Sequence, residues 1–210
     1  MSFDLPVNYS VNEFNLFYAV KSGALEEVKF YLKNGVNPNV RDKAGFTPLH
    51  YAAEEGDESI VMVLLLHPNI EVNSKTNTGK TPLLLASENG HGKVVNELLK
   101  SGADVNIVDN WESSALIWSA ANSHSDIVSE LLKIDGINLD LQDDGGYTAL
   151  MYAVIYGNET IVKMLLEAGA DLKLKTLEYT GDKEDANHDV FLFAEKYKSK
   201  PIINLLKNYQ

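Results

Sequence analysis

Five histidines, His50, His67, His91, His124 and His188, are the side chains of this 210-residue chain best suited to acid–base chemistry at neutral pH. A nucleophilic triad needs a nucleophile and an acid converging on one imidazole, and nothing in the spacing gathers such a set. Cysteine is absent, which excludes disulfides, thiolate metal sites and cysteine nucleophiles. The stretch "SKTNTGKTP" (74–82) ends in Gly79-Lys80-Thr81, like the tail of a phosphate-binding loop. The earlier glycine that such a loop requires would fall at Ser74, and the segment follows no buried strand. The segment "KTLEYTGDKEDANHD" (175–189) carries Asp182, Glu184, Asp185 and Asp189, oxygen donors for a hard cation, at a spacing that fits no EF-hand loop. No catalytic, metal or cofactor site is assigned, and the chain reads as a non-enzyme.

Charge narrows the partners. Eighteen basic residues face thirty acidic ones, for a formal net charge of −12, and Arg41 is the lone arginine. Phosphate backbones are bound through clustered lysine and arginine, so nucleic acid is not expected. An acidic surface serves solubility and favours a partner with a basic surface. No apolar run approaches the ~18 residues that span a bilayer. The opening "MSFDLPVNYSVNEF" has neither the basic nor the apolar region of a secretory signal. A cytoplasmic protein without membrane contact is expected, with secretion as a bacterial effector as the alternative.

The elements that position these residues repeat. "GFTPLHYAAEEGDESIVMVLL" (45–65), "GKTPLLLASENGHGKVVNELL" (79–99) and "GYTALMYAVIYGNETIVKMLL" (146–166) share one pattern. A further copy runs from Ser113 to Leu132, and weaker ones begin at Phe14 and Val190. A column of small residues, Ala19, Ala52, Ala86, Ser119, Ala153 and Ala194, advances in steps of 33, 34, 33, 34 and 41 residues. Thr47-Pro48 and Thr81-Pro82 predict helix starts, with threonine as N-cap and proline where its missing N–H costs nothing. Leu49, Ala52 and Ala53 share one helical face, and Ile60-Val61 with Leu64-Leu65 form the stripe of a second helix. Gly56 and Gly90 close first helices, and turns rich in Gly, Asn and Asp follow the second ones.

This pattern resembles the ankyrin repeat family, over roughly residues 12–210. The resemblance implies an all-α solenoid of stacked helix–turn–helix units joined by β-turn fingers. It predicts a single domain over 1–210 with repeats at 12–41, 42–74, 75–107, 108–141, 142–174 and 175–210. The last repeat carries an inserted loop at about 175–189, and the terminal copies depart as caps do: Glu27 and Tyr31 enter apolar columns, and Lys198 stands where glycine is usual.

In this family the columns of His50, His91 and His124 are structural. Asn73 and Asn106, each preceded by a leucine eight residues earlier, resemble ankyrin asparagines that an oxygen-dependent hydroxylase modifies; the alternative is that they stabilise turns by side-chain hydrogen bonds. Partners of the family usually dock on finger tips and the exposed part of the first helices. The variable column there reads Tyr18, Tyr51, Leu85, Trp118, Tyr152 and Phe193. Four residues on it reads Ser22, Glu55, Asn89, Asn122 and Tyr156, and the position before the turn glycine puts Trp111 at a finger tip. These rings either pack between first helices or line a groove as interface anchors. Near the caps, at Tyr18 and Phe193, packing is at least as good a reading as contact.

The expected function is therefore protein–protein interaction by a monomer, without catalysis. The expected contact residues are Trp111, Trp118, Tyr51, Leu85, Tyr152, Tyr156, Glu55, Asn89 and Asn122. The alternative is an inhibitor or immunity-type or effector protein that occludes a partner enzyme's active site. Repeat four, "WESSALIWSAANSH" (111–124), is the irregular copy. Glu112 replaces the turn glycine, Ser114-Ala115 replaces Thr-Pro, and Ser123 replaces the capping glycine, each change weakening local structure.

Overall fold

The computed structural model describes residues 10–177, 186–197 and 199–209. Among these residues the chain is all helix: twelve α-helices and no strand, with one isolated bridge between Val108 and Ser114. The contacts gather into two compact units, Met1–Asp104 and Val105–Gln210.

The first unit holds three helix pairs: α1 (Val11–Lys21) and α2 (Leu25–Lys33), α3 (Pro48–Glu55) and α4 (Glu58–Leu65), α5 (Pro82–Glu88) and α6 (Gly92–Lys100). First helices α1, α3 and α5 pack side by side, as do second helices α2, α4 and α6. The small-residue column permits this, since Ala19, Ala52 and Ala86 are buried between neighbouring first helices. Ile60, Val61 and Leu64 of α4 and Val94, Val95 and Leu98 of α6 supply the stripe beneath, all essentially inaccessible. At the N-terminal end Glu27 is exposed and Tyr31 half-buried in α2, while Val28 and Leu32 remain inside.

The second unit repeats the plan with α7 (Ala115–Ala121) and α8 (Ser125–Leu131), α9 (Ala149–Ile155) and α10 (Glu159–Ala168), α11 (Val190–Lys196) and α12 (Lys200–Lys207). Helix α9 lies between α7 and α11, and α10 between α8 and α12. Ile127, Val128 and Leu131, then Ile161, Val162 and Leu165, then Ile202 and Leu206 form the buried stripe.

Thr47 and Thr81 cap their helices as expected, and Thr148 does the same for α9, each hydroxyl accepting the backbone N–H three residues on. Repeat four keeps this device without proline: the Ser114 hydroxyl accepts the N–H of Ile117 at 3.3 Å. The irregular positions keep the backbone of the regular ones. Glu112 adopts φ +60° and Ser123 φ +61°, beside +82° at Gly45 and +74° at Gly56 in their columns. The fold thus imposes a left-handed conformation on two L-residues that ordinarily avoid it. Asp182, Glu184, Asp185 and Lys198 lie outside the described residues; Asp189 caps α11, its side chain accepting the N–H groups of Phe191 and Leu192 at 3.0 Å each.

Candidate partner-binding surface

Three of the fingers are β-turns organised by an aspartate. In the second unit, Asp109 accepts the N–H groups of Trp111 and Ser113 on Oδ1, both at 3.0 Å, and the indole N–H of Trp118 on Oδ2 at 2.9 Å. Asp143 does the same one repeat later, taking the N–H of Gly145 at 3.0 Å, that of Tyr147 at 2.8 Å and the hydroxyl of Tyr152 at 2.7 Å. In the first unit Asp42 holds the N–H groups of Ala44 and Phe46 and the hydroxyl of Tyr51. The chain thereby ties the polar tip of a first-helix ring to the finger nine residues before it. Burial pushes the carboxyl of Asp143 up, against the pull of its hydrogen bonds from Tyr152, Tyr147 and Gly145. Burial, then the neighbouring aspartate, pushes the hydroxyls of Tyr51 and Tyr152 up, so both are donors at neutral pH.

Sequence reasoning placed the aromatic column but missed its aspartate partners. The signal was present: an aspartate nine residues before an aromatic recurs at Asp42, Asp109 and Asp143. The third repeat lacks both members, with Thr76 on the finger and Leu85 on the helix, and there Thr76 accepts the N–H of Lys80 at 3.1 Å.

The expected contact residues divide by exposure. Tyr51 and Leu85 are buried, Trp118 and Tyr152 half-buried, and Trp111 and Tyr156 are 45% and 59% exposed. Glu55, Asn89 and Asn122 are exposed. The amide of Asn89 donates to the carbonyl of Leu85 at 2.9 Å, and that of Asn122 to the carbonyl of Trp118 at 3.0 Å, fixing both asparagines at their helix ends. Of the cap aromatics, Tyr18 is exposed, while Phe193 is fully buried 5.7 Å from the ring of Tyr147.

Ring contacts extend the second unit's cluster. Tyr147 lies 5.4 Å from Tyr152, and Tyr152 stacks on Tyr156 at 6.3 Å with the planes 7° apart. The backbone N–H of Asp144 donates to the carbonyl of Trp111 at 3.0 Å, joining the two finger tips. The first unit's face mixes charges instead. Lys21 sits 4.0 Å above the Tyr51 ring, Lys80 pairs with Glu88, and burial, then Glu55, pushes the Glu54 carboxyl up.

The apparent chemical motifs have structural employment. His50 is fully buried, its Nδ1 against Thr47 and its Nε2 within 3.0 Å of the Ser74 carbonyl and 3.1 Å of the Lys80 carbonyl. Burial pushes it down to about 4, leaving it neutral at neutral pH. Nε2 of His91 reaches the carbonyl of Glu54 at 2.9 Å. Gly79-Lys80-Thr81 forms a finger and a cap rather than a phosphate cradle. Asn73 and Asn106 each bridge to the next turn: Asn73 donates to Gly102 at 3.2 Å and accepts from Asp104 at 3.0 Å, and Asn106 donates to Gly136 at 2.9 Å and accepts from Asn138 at 2.8 Å. Asn39 makes the same pair of bonds to Asn69 and Glu71. No group of three or more potential metal ligands occurs among the described residues, and none of their helices is long and apolar enough to cross a membrane.

Comparison with known proteins agrees with this architecture. The family model described as ankyrin repeats (3 copies) matches residues 16–109 and 102–176. Mouse Rabankyrin-5 is 35% identical over 157 residues, 74% of this chain and 13% of its own length. A 26S proteasome non-ATPase regulatory subunit 10 from Dictyostelium discoideum is 39% identical over 93 residues, 44% of this chain and 40% of its own length. The palmitoyltransferase AKR1 of Lachancea kluyveri is 27% identical over 184 residues, 85% of this chain and 20% of its own length. The chain thus spans well under half of each of these relatives. With the family model matching most of the chain and Rabankyrin-5 similar over about three quarters of it, the chain belongs to the ankyrin repeat family.

Proposed function

We propose that this chain is a non-catalytic protein-binding module that acts as a single-domain monomer and docks its partner on the fingers and first helices. Ankyrin repeats generally mediate protein–protein interaction, and the exposure of Trp111 and Tyr156 on that face of the second unit carries the reading for this chain. Tryptophan and tyrosine are the usual anchors of interface hot spots, because they contribute large contact areas at low entropic cost. Trp118 and Tyr152, held by Asp109 and Asp143, form a stiff floor beside them. Tyr51 and Leu85, being buried, support the stack of the first unit, where Glu55 and Asn89 are exposed polar positions, as Asn122 is in the second. Capture of a partner by the full chain, repeated with Trp111→Ala and Tyr156→Ala, tests this. Loss of capture by proteins that still melt normally supports it, and undiminished capture by both refutes it.

A further inference from the structure

Repeats two and three differ from repeats four and five in the charge they set on this face: the former balance their five carboxylates with cations and the latter do not. In the former, the stretches 41–57 and 75–90 include four cations, Arg41, Lys43, Lys75 and Lys80. In the latter, the equivalent stretches 108–124 and 141–158 contain no lysine or arginine at all. They carry four carboxylates, of which Asp109 and Asp143 are buried in their finger hydrogen bonds. The other two, Glu112 and Asp144, are exposed, and their carboxylates take part in no hydrogen bond or ion pair among the described residues. Both stand next to Trp111: Glu112 follows it in the chain, and Asp144 donates its backbone N–H to the Trp111 carbonyl at 3.0 Å.

We propose that this face of the second unit receives a basic segment of the partner protein, a lysine or arginine lying against the exposed Trp111 ring beside Glu112 and Asp144. The inference rests on the partner-binding reading above and adds the partner's chemistry. An aromatic face attracts a cation through its quadrupole, most strongly at tryptophan, and nearby carboxylates add Coulomb attraction while rejecting acidic competitors. Tyr156, stacked on Tyr152, is a second exposed ring of the same unit for other side chains of the partner. A second copy of this chain is a poor occupant, because its net charge of −12 would bring like charges together. Nucleic acid is rejected by the same sign.

Selection of a phage-displayed library of random peptides on the full chain tests the inference. Peptides whose binding Trp111→Ala weakens about tenfold should be enriched in lysine and arginine over the starting library. The double variant Glu112→Gln/Asp144→Asn should weaken them about fivefold, whereas the charge-matched Glu159→Gln/Glu167→Gln, on exposed positions of α10, should change them less than about twofold. Peptides that need Trp111 but lack such enrichment, or equal responses to the two double variants, would overturn the basic segment and leave the docking face standing. Recovery of no peptide, or only of peptides indifferent to Trp111→Ala and Tyr156→Ala, would overturn both.

Discussion

The indole N–H of Trp118 and the carboxylate of Asp109 lie 2.9 Å apart, and that same buried carboxylate fixes the finger bearing Trp111. One side chain therefore orients both tryptophans of the chain. Asp109→Ala strands three donors, two of them backbone, and should cost about 3 kcal/mol of stability. Trp118→Phe removes one donor and keeps most of the apolar contact, so about 1 kcal/mol is expected. Urea denaturation of the two variants measures the order; an Asp109→Ala protein as stable as the parent would remove the carboxylate from its organising role.

Glu112 and Ser123 hold φ values of +60° and +61°, a region that costs an L-residue roughly 1–2 kcal/mol and glycine nothing. Glycine also adds entropy to the unfolded chain, which returns part of that gain. Glu112→Gly and Ser123→Gly should each stabilise by about 0.5–1 kcal/mol, read as a rise in denaturation midpoint. A lowered midpoint would mean that the side chains make compensating contacts.

His50 gives the stability a pH dependence whose sign is fixed. Its folded value lies near 4, below the ordinary 6.5, so between these values the unfolded chain binds a proton that the folded one refuses. The stability tied to neutral His50 is present above pH 6.5 and is lost as pH falls toward 4, by about 3 kcal/mol at most. Raised carboxyls such as Glu54 and Asp143 act in the opposite sense, so the comparison must be made against His50→Gln. The difference in stability between the two proteins should shrink across that window; a constant difference would contradict the buried neutral imidazole.

Asn106 offers both a donor and an acceptor to the turn of the next repeat. At the corresponding place one repeat on, Asp140 accepts the N–H of Asp171 at 2.8 Å. Asn106→Ala should cost about 1–2 kcal/mol, and Asn106→Asp, which keeps the acceptor, about half of that. Equal losses in thermal melts would show that the donor alone matters.

Much of this was legible in the sequence, for a physical reason. Columns such as Leu49, Ala52 and Ile60 repeat because every repeat must bury the same face against its neighbours, so periodicity reports the core directly. Caps were legible because Thr47 and Thr81 satisfy N–H groups that any helix start exposes. The surface was harder. Tyr51, Trp118 and Tyr156 all belong to columns that read as outward-facing, yet they range from buried to exposed. Their burial depends on what the preceding finger and the adjacent helix present, as when Asp42 holds the Tyr51 hydroxyl while Phe46 lies 5.0 Å from its ring. Likewise Glu112 and Ser123 look like weaknesses in the string, but the surrounding repeats impose the glycine conformation on them. Such effects belong to neighbours in space, which periodicity does not reveal.

Because Trp111 and Trp118 are the chain's two tryptophans and both hang on Asp109, indole emission is an optical gauge of one finger alone. Fluorescence followed during denaturation reports when that finger lets go, while helical circular dichroism averages over every helix of the chain. If the two signals part company, the fourth repeat opens out of step with the rest of the chain. If they coincide, the irregular repeat is as firmly locked as its regular neighbours.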